Sequence, residues 1–390
     1  MNITFFRLWL REEWGRMWAV AMGMLFFNRV RCLVAVAGVA AAFFLGATQA
    51  GLVVGWCRIN SAIILNANVD VWVMARQTAS FDFGTAIPRQ SMYRVRSIPE
   101  VRWAEAMLVA WNTWQRADGR RTNILLIGLD DSNVGGPWQM QRGVLEDVQQ
   151  PDSVIVDELY ADILGVRQLL DRAELTGRRA VVRGISEGVR TFTASPFVFT
   201  SIKTVIAADR RYRPDEITYV MARGTDGQTP EELKAIVSQA LPELEVITSA
   251  EFANRTIAYW MLETGAGFSV VLTGILGLVV GTIICSQTLY TITAENLGNY
   301  ATLSAIGFGR ETLICVVAVQ SLFFTIGGII LGTGLYSVCA WAMSRTQISI
   351  QMNPEVYISL VVIYFITGAL AATIAIRAVL SVDPATVFSR

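Results

Sequence analysis

ENLGNYATLSAIGFGRE, residues 295–311, is the polar stretch between the two longest runs without Asp, Glu, Lys or Arg, which extend from Thr264 to Ala294 and from Thr312 to Ser344. The architecture follows from this contrast. Apolar runs of such length are read as membrane helices, so a polar island between two of them is a turn at one membrane surface. Written on a helix, Leu297, Tyr300 and Ala301 share a face and Ile306 continues near it, while Glu295, Asn296 and Asn299 lie elsewhere. The segment is amphipathic and too short to span a bilayer. Gly307 and Gly309 then break the backbone before Arg310 and Glu311 restart a helix, because glycine tolerates angles that other residues avoid.

Two further charge-free runs, Cys32 to Cys57 and Val356 to Ile376, bring the total to four. A hydrocarbon core of roughly 30 Å takes about 20 helical residues, so each run is long enough to cross it. Composition agrees: 53% of residues are hydrophobic and 16% charged, and mean hydropathy is +0.45, too apolar for an ordinary soluble protein. The second and third runs exceed what a bilayer requires and are expected to tilt or protrude. The capping-box pattern Thr248-Ser-Ala-Glu251 predicts one continuous helix that starts near Ser249, outside the membrane, and runs into it.

The fold class expected is a membrane protein of four transmembrane α-helices with a large α+β extracytoplasmic domain inserted between the first and second. The segments are 1–30, an interfacial cytoplasmic stretch; 31–57, 261–294, 312–344 and 356–377, the membrane helices, the second with an outer stalk; 58–260, the outer domain; 295–311, a coupling segment; 345–355, an outer loop; and 378–390, a tail. Trp9, Trp14 and Trp18 interleave with Arg7, Arg11, Glu12, Glu13 and Arg16, the pattern of a helix lying in the headgroup region. Acidic residues in this leader and the late start of the apolar run fit a cleavable signal peptide poorly, so the first span is expected to stay attached. Arg7, Arg11, Arg16, Arg29 and Arg31 precede the first span and Arg377 and Arg390 follow the last, against Arg345 alone in the short loop between the third and fourth. Positive charge is retained on the cytoplasmic side, which predicts both termini inside and the large segment outside, in a multi-pass membrane protein.

In the outer segment, Val69 to Met74, Thr122 to Leu129, Val154 to Val156, Ile217 to Ala222 and Leu244 to Thr248 read as strands, and Glu158 to Leu164 as a helix. Asp118-Gly119 marks a hairpin turn between Trp114 and Thr122. Thr229-Pro-Glu-Glu232 begins a helix whose Leu233, Ile236, Val237 and Ala240 share a face and which ends at Leu241-Pro242, giving a β-α-β unit.

Several function classes are excluded. There is no histidine, which removes a Ser-His triad, a His-ligated zinc site and a histidine proton relay. Neither Lys203 nor Lys234 follows the glycine pattern of a phosphate-binding loop, so any ATP that drives this chain binds to another subunit. Gly307-Phe-Gly309 follows an apolar helix instead of a strand and is not a dinucleotide motif. Asp130-Asp131 and Asp157-Glu158 are neighbours in sequence and are read as turn and surface residues. No catalytic, metal or cofactor site is expected, and no nucleic-acid partner. Cys32, Cys57, Cys285, Cys315 and Cys339 lie in or at the ends of apolar runs, so no disulfide is expected in the outer domain. The spans carry no charge, which argues against an ion-driven relay. They carry instead Gly51-xxx-Gly55, Gly277-xxx-Gly281 and Gly328-xxx-Gly332, spacings that let helices approach closely, and Gln287, Gln320 and threonines suited to interhelical hydrogen bonds.

The run NYATLSAIGFGRETL and the Gln320-containing apolar segment after it resemble the cytoplasmic signature of FtsX-like (MacB-type) permeases, membrane subunits of ATP-binding-cassette systems. So do Phe27-Asn28-Arg29-Val30-Arg31, IPRQSMYRV from Ile87, SVIVDE from Ser153 and VDPATVF from Val382, and the whole looks closest to DevC-type exporter permeases. Asn299 and Ser304 depart from the acidic and basic residues many members carry there. The resemblance implies a permease without enzymatic activity of its own, working as a dimer on the lipid bilayer with a separate ABC ATPase subunit, a periplasmic adaptor (membrane fusion) protein and an outer-membrane channel. It implies export of a lipid-like or other amphiphilic substrate by mechanical transmission. An alternative is a regulator that uses the same motion to activate an extracytoplasmic hydrolase; another is a membrane-anchored enzyme. On this reading Leu297, Tyr300, Leu303 and Ile306 are the ATPase contact, Glu295 and Arg310 its rim charges and Gly307 its joint.

Overall fold

In the computed structural model the described residues are 18, 21–26, 29–191, 195–306, 309–344, 346 and 350–380. They form two compact units, one of residues 55–268 and 345–349, the other of residues 1–54, 269–344 and 350–390. In chain order the helices and strands are α1 (Arg29–Asn66), β1 (Val71–Met74), β2 (Ile87–Pro88), α2 (Gln90–Arg96), β3 (Val101–Gln115), β4 (Arg121–Leu129), β5 (Met140–Arg142), β6 (Ser153–Asp157), α3 (Ala161–Leu164), β7 (Arg172–Leu175) and β8 (Arg178–Ser186). There follow β9 (Phe197–Ser201), α4 (Ile202–Ala208), β10 (Glu216–Ile217), β11 (Tyr219–Gly224), α5 (Pro230–Ala240), β12 (Glu245–Thr248), α6 (Ser249–Ala258), α7 (Ala266–Glu295), α8 (Leu297–Ala305), α9 (Arg310–Met343) and α10 (Pro354–Leu380).

The unit inserted between the first two membrane helices is built on a ten-stranded mixed sheet, in the order β12-β1-β11-β3-β4-β9-β6-β8-β5, with β7 pairing β3 and β8. Successive side chains of a strand point to opposite faces, and here both faces are covered. Val71, Val73, Ala106, Leu108, Leu126 and Val220 pack on one side with α2, α4 and α5. Trp72, Met74, Met107, Val109, Leu125 and Tyr219 pack on the other with Ile63 and Ile64 at the end of α1 and Phe252 of α6. Burial on both faces explains why all four residues of β1 are apolar, where alternation is expected from the sequence, and why β6 is apolar from Val154 to Val156. The hairpin at Asp118-Gly119 joins β3 to β4 with Trp114 opposite Thr122, and Gly119 takes φ +84, the left-handed angle that selects glycine.

The β-α-β expectation is met in a modified form. Helix α5 has the full capping box between Thr229 and Glu232 and buries Leu233 and Val237. Its flanking strands β11 and β12 do not pair with each other; β1 lies between them, antiparallel to both. Glu158 to Leu164 is a 3-10 turn over Glu158–Tyr160 followed by the single turn of α3, stopped by Gly165 at φ +68.

Two helix expectations need correction. The capping box at Thr248 and Glu251 is present, but the helix from Ser249 is not continuous with the second span. Residues Tyr259–Glu263 form a π turn, and Gly265 at φ +71 separates it from α7. The helix that runs on is α1, 38 residues long, which continues past Arg58 to Asn66. Ser61 and Asn60 donate side-chain hydrogen bonds back to Cys57 O and Trp56 O within the helix, and Ile59, Ile63 and Ile64 extend its apolar pattern. Arg58 ends the charge-free run without ending the helix.

The other unit holds the apolar helices. Among the described residues four stretches are long and apolar enough to cross a membrane: Cys32–Asn66, Gly267–Ile284, Arg310–Met343 and Pro354–Thr373. The small-residue spacings pack these helices against one another. A Cβ at Gly328 would stand 2.4 Å from Val39 Cγ1, and one at Gly332 2.8 Å from Ala40 O, so α9 seats on α1 through these two glycines. Gly281 and Gly46 each make room for the Tyr364 hydroxyl, which donates to Ala42 O at 2.5 Å. The Ser321 hydroxyl donates to Gly368 O at 3.0 Å, pairing a polar group that lipid could not satisfy.

Candidate functional site

Residues 295–311 lie between α7 and α9 and contain the two-turn helix α8. The break before it falls at Asn296, whose carbonyl accepts from Asn299 N–H at 3.0 Å and Tyr300 N–H at 3.1 Å and so starts the new helix. Asparagine suits this position because it competes poorly in helix interiors and well at their starts. At the far end Gly309, in extended conformation, precedes α9 and its carbonyl accepts from Thr312 and Leu313. Glu311 stands in the first turn of α9, where the helix dipole favours an acid. Gly307, taken as the joint, lies outside the described residues, as do Phe308, residues 1–17, Phe27-Asn28 and the Val382 to Phe388 stretch.

One face of α8 is turned into the chain's own bundle. Tyr300 is 1% exposed and packs with Ala21, Leu313, Val316, Val317 and Val319, with Leu297 and Leu303 partly buried against the same cluster. The Tyr300 hydroxyl donates to Gln320 Oε1 on α9 at 2.7 Å. Burial raises this phenol well above its ordinary pKa, so it remains a neutral donor. Of the four apolar residues expected to act together, the structure brings together Leu297, Tyr300 and Leu303 and leaves Ile306 apart, 71% exposed. Glu295, Asn299, Thr302, Arg310 and Glu311 are exposed with it. A two-sided element results, apolar towards α9 and polar with one apolar tip on its open side. Ala21 of the short helical stretch 21–26 completes the inner cluster, a contribution with no motif to announce it.

A cavity of the outer unit, lined by Ile59, Asn60, Ile63, Phe81, Asp82, Thr191 and Phe197, has about 280 Å³ of empty space counting its open mouth, below the usual range for small-molecule sites. Asp157, one of the adjacent carboxylates, is buried and fully used: it accepts from Leu159 N–H, Ser186 Oγ and Val189 N–H. It caps a turn and is closed to substrate.

Residues 271–384, which include the whole of α8 and α9 and α7 from residue 271 onward, match the family described as FtsX-like permease C-terminal. The chain carries an FtsX-like permease domain. Over 326 residues the permease is 23% identical to the uncharacterized ABC transporter permeases Rv0072 and MT0078 of two Mycobacterium tuberculosis strains, across 82% of this chain and 84% of theirs. Among solved structures it is similar to the periplasmic region of MacB from Actinobacillus actinomycetemcomitans, at 12% identity and TM-score 0.38, covering 48% of this chain and 91% of that one. It is also similar to the extracellular domain of the transporter YknZ from Gram-positive bacteria, at 11% identity and TM-score 0.34, covering 46% of this chain and 98% of that one. Among the described residues the fold is four candidate membrane helices with a sheet-rich domain between the first and second.

Proposed function

We propose that this ABC transporter permease couples a separate ATPase subunit to its outer domain through α8, in an exporter of the MacB and DevC type. The observation that carries the reading is the two-sided geometry of α8. Tyr300, Leu297 and Leu303 hold it to α9, while Ile306, Thr302, Asn299 and the charges of Glu295 and Arg310 face outward. An element gripped by a partner must also be fastened to what it moves, and these are the two fastenings. The contact is thereby refined: Ile306 is its apolar centre, Glu295 and Arg310 its rim, Tyr300 and Leu303 the attachment to the bundle, and Gly307 the joint. Arginine bias places α8 and both termini in the cytoplasm of a bacterial inner membrane and the sheet unit outside. Two permeases work with two ATPase subunits, and a periplasmic adaptor and outer-membrane channel receive a lipid-like or other amphiphilic substrate.

The test is co-purification of the permease with its ATPase. Ile306→Asp places a carboxylate at the centre of the contact and should cost several kcal/mol of association, on the order of the penalty for an unpaired charge at an interface. The permease alone should melt as before, because Ile306 touches no core. Normal assembly and ATP hydrolysis in that variant would end the coupling assignment.

A further inference from the structure

The junction ahead of the second membrane helix is jointed. Helix α6 stops at Ala258, Tyr259–Glu263 make one π turn, and Gly265 at φ +71 intervenes before α7. A π turn and a left-handed glycine are both interruptions of the regular hydrogen-bond ladder, so this segment cannot act as a rigid rod.

A side-chain clasp holds the π turn on the near side of Gly265. The Trp260 indole N–H, in the π turn, donates to Asp82 Oδ2 at 3.0 Å. Asp82 belongs to the 3-10 turn Phe81–Phe83, which the sheet grips from beneath: Trp111 of β3 donates to Asp82 O at 2.9 Å and Tyr219 of β11 donates to Phe81 O at 2.8 Å. Phe83 fills the remaining space, its ring centre 5.8 Å from Tyr259, 6.1 Å from Trp260 and 6.1 Å from Trp111. Four aromatic rings and one carboxylate therefore join the π turn to two central strands.

The carboxylate is the unexpected member. Asp82 is 9% exposed, and its carboxylate accepts from a neutral indole; burial raises its pKa, with the Trp260 hydrogen bond opposing. An acid so placed is expensive to desolvate, whereas an indole N–H pointed at a fixed acceptor gives direction, which ring packing alone does not.

We infer that Asp82 and Trp260 are positioning residues that fasten the entrance of the second membrane helix to the outer sheet, so that movement of that helix reaches the sheet through this clasp. The inference rests on the transmission reading of α8.

The experiment uses the full-length permease with its ATPase in lipid nanodiscs and compares hydrogen exchange without nucleotide and with ATP plus orthovanadate. In the wild type, exchange should respond to nucleotide both in residues 295–306 and in residues 80–84. Trp260→Phe keeps the ring and removes the donor; Asp82→Leu removes the acceptor. In each, the response at 80–84 should fall at least fivefold while that at 295–306 persists. Asp82→Asn retains an oxygen that accepts the indole N–H and should keep the response at 80–84. A full response at 80–84 in both Trp260→Phe and Asp82→Leu overturns the clasp, as does an Asp82→Asn variant that behaves like Asp82→Leu. A wild type that responds at 295–306 and not at 80–84 sinks the clasp alone. One that responds at neither sinks the transmission reading with it.

Discussion

Tyr300→Phe removes one oxygen from the cluster that holds α8, and its cost can be worked from the hydrogen bond it breaks. The ring stays, so the packing against Leu313, Val316 and Val317 is retained. Gln320, 3% exposed, loses the donor to its Oε1. Leaving a buried acceptor unpaired costs about 1–3 kcal/mol, and double-mutant cycles between membrane helices average about 0.6 kcal/mol with a maximum near 1.7. A loss of about 1 kcal/mol is therefore expected, roughly a fivefold change in the folded ratio. Gln320→Leu should cost a similar amount by stranding the phenol. The double variant should recover part of the loss, because neither polar group remains. Tyr300→Asp should be far worse, several kcal/mol, since a carboxylate replaces a neutral phenol in a closed cluster. The assay is unfolding of the isolated permease in detergent, with affinity for the ATPase measured in parallel on the folded fraction. Tyr300→Phe should lower stability and leave ATPase affinity within about twofold. An isolated permease of unchanged stability that binds its ATPase poorly would refute the geometry, placing Tyr300 at the partner contact after all.

Gly328→Ala should destabilise the bundle by about 1–3 kcal/mol, because its methyl meets Val39, whereas Gly334→Ala, with open space around it, should be neutral or slightly stabilising by helix propensity; equal melting temperatures for the pair would contradict the α1–α9 contact. A soluble fragment from Arg58 to Ala253 keeps both sheet faces and contains no cysteine, so it should melt cooperatively with and without reductant, and a broad, non-cooperative transition would show that it depends on the rest of the chain. For the full-length permease, Asp82 is held above its unfolded pKa by burial, so its contribution is present at low pH and is lost as pH rises through the folded value; Asp82→Asn should flatten that decline. Glu245, held low by the hydrogen bond and charge of Arg255, acts in the opposite sense, contributing above its unfolded pKa and losing that contribution as pH falls through the folded one. A stability profile in which Glu245→Gln steepens the acid limb would be inconsistent with that sign.

What the sequence determined by itself is what neighbouring residues decide among themselves. The cost of carrying a charge into hydrocarbon belongs to each residue, so charge-free runs identify four membrane helices without knowledge of their packing. The capping boxes at Thr229 and Thr248 and the Asp118-Gly119 hairpin are likewise local, closed within a few residues. The amphipathic face of α8 was legible for the same reason: periodicity shows that Leu297, Tyr300 and Ala301 share a side.

Which surface covers that side was decided only by tertiary structure. A partner and the chain's own α9 would satisfy the same apolar pattern, and in the folded chain Tyr300 is covered by Val316 and Gln320 of α9. The insertion of β1 between β11 and β12 is another such decision, because strand adjacency depends on pairing across many residues and leaves no periodic trace. The break at Tyr259–Glu263 follows neither a proline nor a charge run; its local trace is Gly265, a residue also common inside membrane helices, so the sequence did not single it out. The contact between Asp82 and Trp260 spans 178 positions; sequence shows a lone acid between two phenylalanines, and only the folded chain supplies the indole that meets it.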